Sequence, residues 1–201
     1  MPTLQTLPLF PLQTVLFPGG LLPLRIFEAR YVDMVSACLR SGSTFGICLI
    51  AAGTEVGEAA IPHHVGTEAR ILSADSEASG LLDIVVIGER RFRLHDHSVG
   101  KLQALEGEVE WLPRIPHTEV PDAQANLIPL LEKIVADLGD RVSTPHRFDD
   151  AEWVGARCAE VLPIQPLARQ KLLELDDVVS RLEIIQQYLD QRNLLTTPKG
   201  G

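Results

Sequence analysis

The stretch from Leu7 to Tyr31, LPLFPLQTVLFPGGLLPLRIFEARY, decides how the N-terminal part of the chain folds. Its short apolar runs are separated by four prolines, Pro8, Pro11, Pro18 and Pro23. Because proline has no backbone N–H, it is disfavoured in central strands. The runs are therefore predicted to be short strands that break at edges and bends. Pro18-Gly19-Gly20 predicts a tight turn, since glycine adopts positive φ at no steric cost.

Beyond this stretch the pattern predicts one helix and then several strands. Apolar residues recur at helical spacing from Tyr31 to Leu39, and Gly42 is placed to end that helix. Strands are predicted over Thr44–Ala52, Val65–Ala74, Leu81–Ile87, Arg91–His95 and Leu102–Leu112. Gly66 and Gly88-Glu89 are candidate bulge positions. These strands predict a twisted, partly closed sheet.

The period changes near residue 118. Pro113 to Pro121 holds three prolines and predicts a boundary between residues 1–118, rich in strands, and residues 119–201, rich in helices. After it, apolar stripes predict a helix ending at Gly139, a helix capped by Asp149 or Asp150, a short helix over Leu167–Leu175, and a last helix capped by Asp176. Since none of these helices buries its stripe alone, a small bundle is expected. The predicted fold class is α+β.

The quoted stretch also carries a resemblance to a known family. The pattern Leu7-Pro8-Leu9, Pro11-Leu12, Phe17-Pro18-Gly19, Pro23-Leu24 and Glu28-Ala29-Arg30-Tyr31 resembles the N-terminal, substrate-binding domain of the ATP-dependent Lon protease. Gly66-Thr67, Gly88 to Arg91 and Gln170 to Leu189 follow that domain's pattern in the same order. Bacterial chains made of this domain alone also occur. The resemblance implies a PUA-like pseudo-barrel followed by helices. It also implies a non-catalytic module that binds substrate polypeptides, without the ATPase and Ser-Lys protease modules of Lon.

Composition narrows the function classes. The chain has 201 residues and a net charge of −9. Both parts are acidic, with 9 basic and 13 acidic residues in 1–118 and 9 and 14 in 119–201. Nucleic-acid binding is thus disfavoured, since it needs a basic face. No apolar run has the length of a membrane span and no signal peptide is recognisable, so a cytoplasmic protein is expected. Three scattered cysteines argue against disulfides and a zinc site.

No catalytic constellation is recognisable. The phosphate-binding loop, the G-x-S-x-G motif around Ser43 and the H-E-x-x-H motif are missing. His63-His64 would point to opposite faces of a strand, whereas His95 and His97 would share a face but lack a third metal ligand. Asp176-Asp177 is interpreted as a helix start. No cofactor, metal or catalytic residue is predicted.

The basic group Arg90, Arg91 and Arg93 lies in a segment of strict polar–apolar alternation, which predicts that Arg91 and Arg93 share one solvated face. Phosphate or carboxylate binding there is one interpretation. The favoured one is a solvated strand face, or ion pairing with Glu106, Glu108 and Glu110 on the next strand.

Three functional hypotheses stay open. The first is a polypeptide-binding module, for which the sequence assigns no groove residues. The second is a PUA-like nucleic-acid-binding module, which a positive patch around Arg90 to Arg93 would favour. The third is an enzyme using His63, His64, His95 and His97, which a deep pocket joining two of these groups would favour.

Overall fold

The structure is a computed structural model that describes residues 3–57, 60–76, 81–101 and 104–195. Strands dominate the first part of the chain and helices the second. The strands are β1 (Gln5–Leu12), β2 (Leu21–Ile26), β3 (Phe45–Ala52), β4 (Ile61–Pro62), β5 (Val65–Ser76), β6 (Leu82–Val99) and β7 (Leu105–Trp111). The helices are α1 (Ala29–Ser41), α2 (Leu127–Leu138), α3 (Ala151–Val161), α4 (Pro166–Glu174) and α5 (Val178–Asp190). The predicted α+β class is confirmed. Among the described helices, none has the length and apolar character needed to cross a membrane.

Backbone pairing closes the first part of the chain into a barrel. β1 pairs with β7, β7 with β6, β6 with β5 and β5 with β3, all antiparallel, and β3 pairs back with β1 in parallel. β2 lies outside this ring, along the first part of β6. The predicted pseudo-barrel is therefore confirmed. Residues 102 and 103 of the predicted strand Leu102–Leu112 lie outside the described residues. So do residues 77–80 of the turn predicted over 75–80, whereas Asp75 and Ser76 belong to β5.

The prediction that prolines interrupt the first strands is wrong for β1, which runs through Pro8 and Pro11. The reason is a change of partner at Leu9. Residues 5–9 of β1 pair with β7, and residues 9–12 pair with β3. Each proline therefore lies where β1 pairs along one side only, which is the edge-like position in which a strand tolerates proline. The Val15-Leu16-Phe17 run, also predicted as a strand, is irregular.

β6 is one long strand, in place of the two that the sequence predicts. Its pairing with β5 shifts between Thr67 and Ala69, so that Glu89 and Arg90 lie opposite the single residue Glu68. This is the bulge predicted at Gly88-Glu89. Gly66 is not at a bulge: a Cβ there would lie 2.5 Å from Cζ of Phe92. Gly66 thus makes room for a buried aromatic ring.

The helices form as their stripes predict, with one correction. α1 buries Tyr31, Met34, Val35 and Cys38, and Gly42 ends it with a φ of 66°. α5 packs against α3 through the predicted face Val178, Leu182, Ile185 and Leu189. The N-cap of α5 is Asp177, whose carboxylate accepts a hydrogen bond from the backbone N–H of Val179, and not Asp176 as predicted. Asp176 instead accepts a hydrogen bond from Arg91.

One apolar cluster joins the barrel to the helices. It combines Val15, Phe17, Leu49 and Val65 of the first part with buried residues of α2 to α5. Polar contacts cross the same junction. The guanidinium of Arg157 donates to the carbonyl of Pro18 at 2.8 Å, and the amide of Gln170 donates to the carbonyl of Val65 at 2.9 Å. The turn at Pro18 and the strands near it are therefore fixed by the helices.

We expect Gly19→Val to destabilise the protein. Gly19 has a φ of 74°, and a Cβ there would lie 3.3 Å from Nη1 of Arg157. A β-branched residue in this region costs about 1–3 kcal/mol, before the contact with Arg157 is counted. Chemical denaturation measures the change. Gly42→Val is the matched control, because Gly42 has a similar φ of 66° but no atom within 4 Å of its Cβ position. A midpoint for Gly19→Val equal to that of the wild type would contradict the prediction.

Candidate functional site

The four histidines singled out in the sequence do not form a site. His63 is half-buried and His64 is exposed, with Nδ1 3.3 Å from the carbonyl of Leu94. His95 and His97 are exposed, and Nε2 of His95 lies 2.8 Å from Oε2 of Glu110. In the described parts of the chain, no group of three metal-ligating side chains lies close enough to hold an ion.

The three arginines of β6 have separate roles. Arg91 is buried: Nη1 donates to the carbonyls of Leu173 at 2.8 Å and Leu175 at 3.2 Å, and Nη2 donates to Oδ1 of Asp176 at 2.7 Å. The predicted solvated face is thus wrong at Arg91, because the helices cover that part of the strand. Arg93 is exposed, opposite Glu110 in the β6–β7 register.

Arg90 also contacts neighbouring side chains. Its Nε lies 3.0 Å from Oε2 of Glu68, and its guanidinium stacks 3.9 Å above the ring of Trp111. The predicted partners Glu106, Glu108 and Glu110 are therefore not those of Arg90 or Arg91.

Arg90 and Arg91 open onto a polar cleft of about 350 Å³ at the junction of the barrel and the helices. Its charged lining comprises Arg70, Arg90, Arg91, Arg114, Arg147, Glu89, Asp150 and Glu152. Nε of Arg70 lies 2.6 Å from Glu89, and Nη1 of Arg147 lies 3.3 Å from Asp150. Together with the Arg90–Glu68 and Arg91–Asp176 pairs, these contacts give four of the five arginines a carboxylate partner, so the patch offers little to a polyanion.

The cysteines are free and buried. Burial raises the pKa of the Cys48 and Cys158 thiols to about 12. Neither thiol is therefore ionised at neutral pH, as a nucleophile or redox group would need to be. Ser43 has its hydroxyl 2.8 Å from that of Ser41, at the end of α1.

A strongly apolar groove lies on the helical face. We name it the α4–α5 groove; it has a volume of about 400 Å³ and is lined by Ile164, Ala168, Lys171, Leu172, Glu174, Leu175, Ile184, Ile185 and Tyr188. Seven of these nine residues are apolar or aromatic. The two charged ones, Lys171 and Glu174, pair with each other at 2.9 Å. The lining therefore favours an apolar ligand.

The groove follows from the way α5 is placed. The core face of α5 packs against α3, and Ile184 and Tyr188 form a second apolar pair, four residues apart, outside that face. Ile184 is 46% exposed, and Leu167 at the start of α4 is 59% exposed. Tyr188 is held in position, since its hydroxyl donates to the carbonyl of Pro163 at 2.6 Å.

A second apolar depression, the β2 groove, lies beside the outer strand β2. It has a volume of about 300 Å³ and includes Leu24, Phe27 and Val56 in its lining. Phe27 is 61% exposed and Val56 is 53% exposed. Three charged side chains, Arg25, Glu28 and Glu55, share this lining. The β2 groove is consequently more polar than the α4–α5 groove.

A model of the family described as the ATP-dependent protease La (LON) substrate-binding domain matches residues 6–191. The chain belongs to this family. The resemblance found in the Leu7–Tyr31 stretch is thereby confirmed, and both apolar grooves lie inside the matched Lon substrate-binding domain.

Solved structures of Lon N-terminal domains have the same fold as this chain. A Lon N-terminal domain protein from Xanthomonas campestris is 38% identical, with a TM-score of 0.77 over 92% of this chain and 98% of that one. The N-terminal domain of a Mycobacterium avium complex Lon protease shares the fold, with a TM-score of 0.66 at 20% identity and the same coverage of each chain.

Two Lon proteases are also similar to this chain, and the matching region is a small part of each. Lon protease 2 of Myxococcus xanthus is 24% identical over 94% of this chain and 24% of its own length. The Lon protease of Treponema pallidum is 25% identical over 87% of this chain and 20% of its own length. The chain thus spans about a quarter or less of the length of these relatives.

The α4–α5 groove is not among the features predicted from the sequence, although the sequence contains a signal for it. The predicted stripe of α5 consists of Val178, Leu182, Ile185 and Leu189. Ile184 and Tyr188 lie at helical spacing beside that stripe, which is typical of a helix with a second apolar contact.

Proposed function

We propose that this Lon substrate-binding domain protein binds polypeptides by their exposed apolar segments, without catalysing a reaction on them. The observation that carries the proposal is the α4–α5 groove, in which seven of nine lining residues are apolar or aromatic. Such a groove accepts apolar side chains from an amphipathic helix or an extended segment. Its single charged pair leaves few polar groups that a bound apolar segment would strip of water.

The proposed binding is sequence-tolerant. Burial of apolar area is non-directional, and it contributes roughly 25 cal/mol for each Å² removed from water. A groove of this size supports moderate affinity, as suits a protein that engages many unfolded chains and releases them. We propose that the protein works in the cytoplasm as an adaptor, delivering such chains to a separate protease.

The test is fluorescence anisotropy with a labelled, permanently unfolded polypeptide whose C-terminus is amidated. Ile184→Asp places a charge in the groove, so we expect it to weaken binding about tenfold, or about 1.4 kcal/mol. Leu39→Asp is the matched control, since Leu39 is on α1 and is 45% exposed, against 46% for Ile184. We expect its dissociation constant to stay within about twofold of the wild-type value.

A structured RNA serves as the second labelled molecule. Polypeptide binding that resists salt and is lost in Ile184→Asp supports the proposal. If Ile184→Asp and Leu39→Asp weaken polypeptide binding equally, the α4–α5 groove is not the binding site. Binding of the RNA alone, with a steep dependence on salt, would overturn the proposal in favour of a nucleic-acid-binding module.

A further inference from the structure

A fourth cavity lies between the barrel and the helices, away from the α4–α5 groove. Its volume is about 340 Å³, within the roughly 300–1,000 Å³ typical of ligand pockets. Apolar side chains supply much of the wall, among them Leu16, Leu22, Leu138 and Val142. An apolar group of the ligand is therefore expected to fill most of the space.

The charged residues of this cavity are unbalanced. Arg141, Arg157 and Arg169 line it together with one carboxylate, that of Glu160. In a protein with a net charge of −9, this is a local excess of positive charge in an apolar wall. Such a wall selects for an anionic group on the ligand.

The buried side chain of Arg157 is the main evidence that this cavity binds a ligand. Its side chain is 1% exposed, Nη2 donates to the carbonyl of Pro18 at 2.8 Å, and Nε lies 2.9 Å from Oε2 of Glu160. Nη1 of Arg157 and Nε of Arg169 are buried without an acceptor among the described residues, and the contact between Nε of Arg157 and Glu160 lacks hydrogen-bond geometry. Buried donors normally have an acceptor, so these three leave capacity for hydrogen bonds to an anion.

We infer that this cavity, which we name the arginine cavity, binds the C-terminus of a polypeptide, with the terminal carboxylate on the arginines and an apolar last side chain against the wall. The inference rests on the proposed function, because that function supplies polypeptides as the ligands. The inference extends the proposed function, because it adds recognition of a free chain end to recognition of internal apolar segments. A fatty acid offers the same chemistry, an apolar body with a carboxylate, and the experiment separates the two.

Glu160 gives the site a dependence on pH. Burial, with a smaller contribution from the Glu152 carboxylate, raises the pKa of its carboxyl to about 7, against the opposing effects of Arg157, the backbone N–H of Phe17 and Arg169. As pH falls from 8 to 6, Glu160 is neutralised while the arginines stay charged and a peptide carboxylate stays ionised. The affinity for a free chain end is therefore expected to rise as pH falls.

The experiment compares two labelled ten-residue peptides with the same apolar C-terminal sequence and no titratable side chain. One ends in a free carboxylate and the other in an amide. We expect the wild-type protein to bind the free acid about tenfold more tightly than the amide at pH 6, with a smaller ratio at pH 8. Arg141→Gln is expected to reduce this ratio, and the exposed position of Arg141 keeps the variant folded. Arg40→Gln, on exposed α1 surface, is the matched control and keeps the wild-type ratio.

Equal affinities for the acid and the amide would overturn the inference, as would equal ratios in the Arg141→Gln and Arg40→Gln proteins. Displacement of the free-acid peptide by decanoate below the peptide's own dissociation constant would assign the cavity to a fatty acid and overturn it too. The acid-to-amide ratio tests the arginine cavity alone. Binding of the amidated unfolded polypeptide tests the proposed function alone, so failure of one is distinguishable from failure of the other.

Discussion

Arg91→Met is expected to lower the free energy of unfolding by about 3 kcal/mol. The arginine is 5% exposed and joins β6 to the end of α4 and to the segment between α4 and α5. Its loss removes the donor to the carbonyls of Leu173 and Leu175 and the partner of Asp176. The carbonyls account for most of the cost, because the side chain of Asp176 is 76% exposed and water solvates it once the pair is broken.

Urea denaturation of the full chain measures this change. Arg93→Met is the matched control, because Arg93 is exposed on the same strand two residues further on. Its free energy of unfolding should stay within about 0.5 kcal/mol of the wild-type value. Asp176→Asn should cost less than about 1 kcal/mol, since an exposed ion pair contributes little. Should Arg91→Met prove as mild as Arg93→Met, the hydrogen bonds across this junction would not stabilise the fold.

The sequence-based prediction for Arg91 was correct about its side of the strand and wrong about its exposure to solvent. Alternation along β6 correctly puts Arg91 and Arg93 on one side of the strand, opposite Phe92. Alternation reports the two sides of a strand, but it does not report what covers each side. The helices cover Arg91 and leave Arg93 in water, and this contact joins residues more than eighty positions apart in the chain.

Local signals predicted local structure well. The helix from Tyr31, its end at Gly42 and the turn at Gly19 depend on spacing and on positive φ, which neighbouring residues determine. The partner change of β1 at Leu9, which admits Pro8 and Pro11, depends on where β3 and β7 lie. No feature of the prolines themselves records it.

The candidate sites were the least predictable part. The α4–α5 groove draws on Ile164, on α4 and on α5, and the arginine cavity draws on the loop at Val15, on α2, α3 and α4. Taken one at a time, these residues are of types found on ordinary protein surfaces. The packing of the helices on the barrel brings them together into a groove or cavity, and a one-dimensional pattern does not contain that packing.

A fragment of residues 1–118 is expected to aggregate instead of folding alone. The predicted boundary near residue 118 separates strands from helices, but we propose that it does not separate two folding units. Phe17 is fully buried, and Val15, Leu49 and Val65 are nearly so, all in the cluster shared with the helices. Removing the helices exposes this cluster as one apolar patch, which favours self-association.

The same truncation removes the polar contacts that hold the exposed edge in place. The carbonyl of Pro18 loses its bond from Arg157, the carbonyl of Val65 loses its bond from Gln170, and Arg91 loses Leu173 and Leu175. Arg91 would then lie on an open barrel face, where water replaces its partners, while the apolar patch has no such substitute. Size-exclusion chromatography and urea denaturation test the fragment, with co-expression of residues 119–201 as the control. The missing part should restore a soluble 1–118 in complex with it. A monomeric fragment that unfolds cooperatively by itself would instead show two independent domains, and the arginine cavity would then lie at an interface able to open.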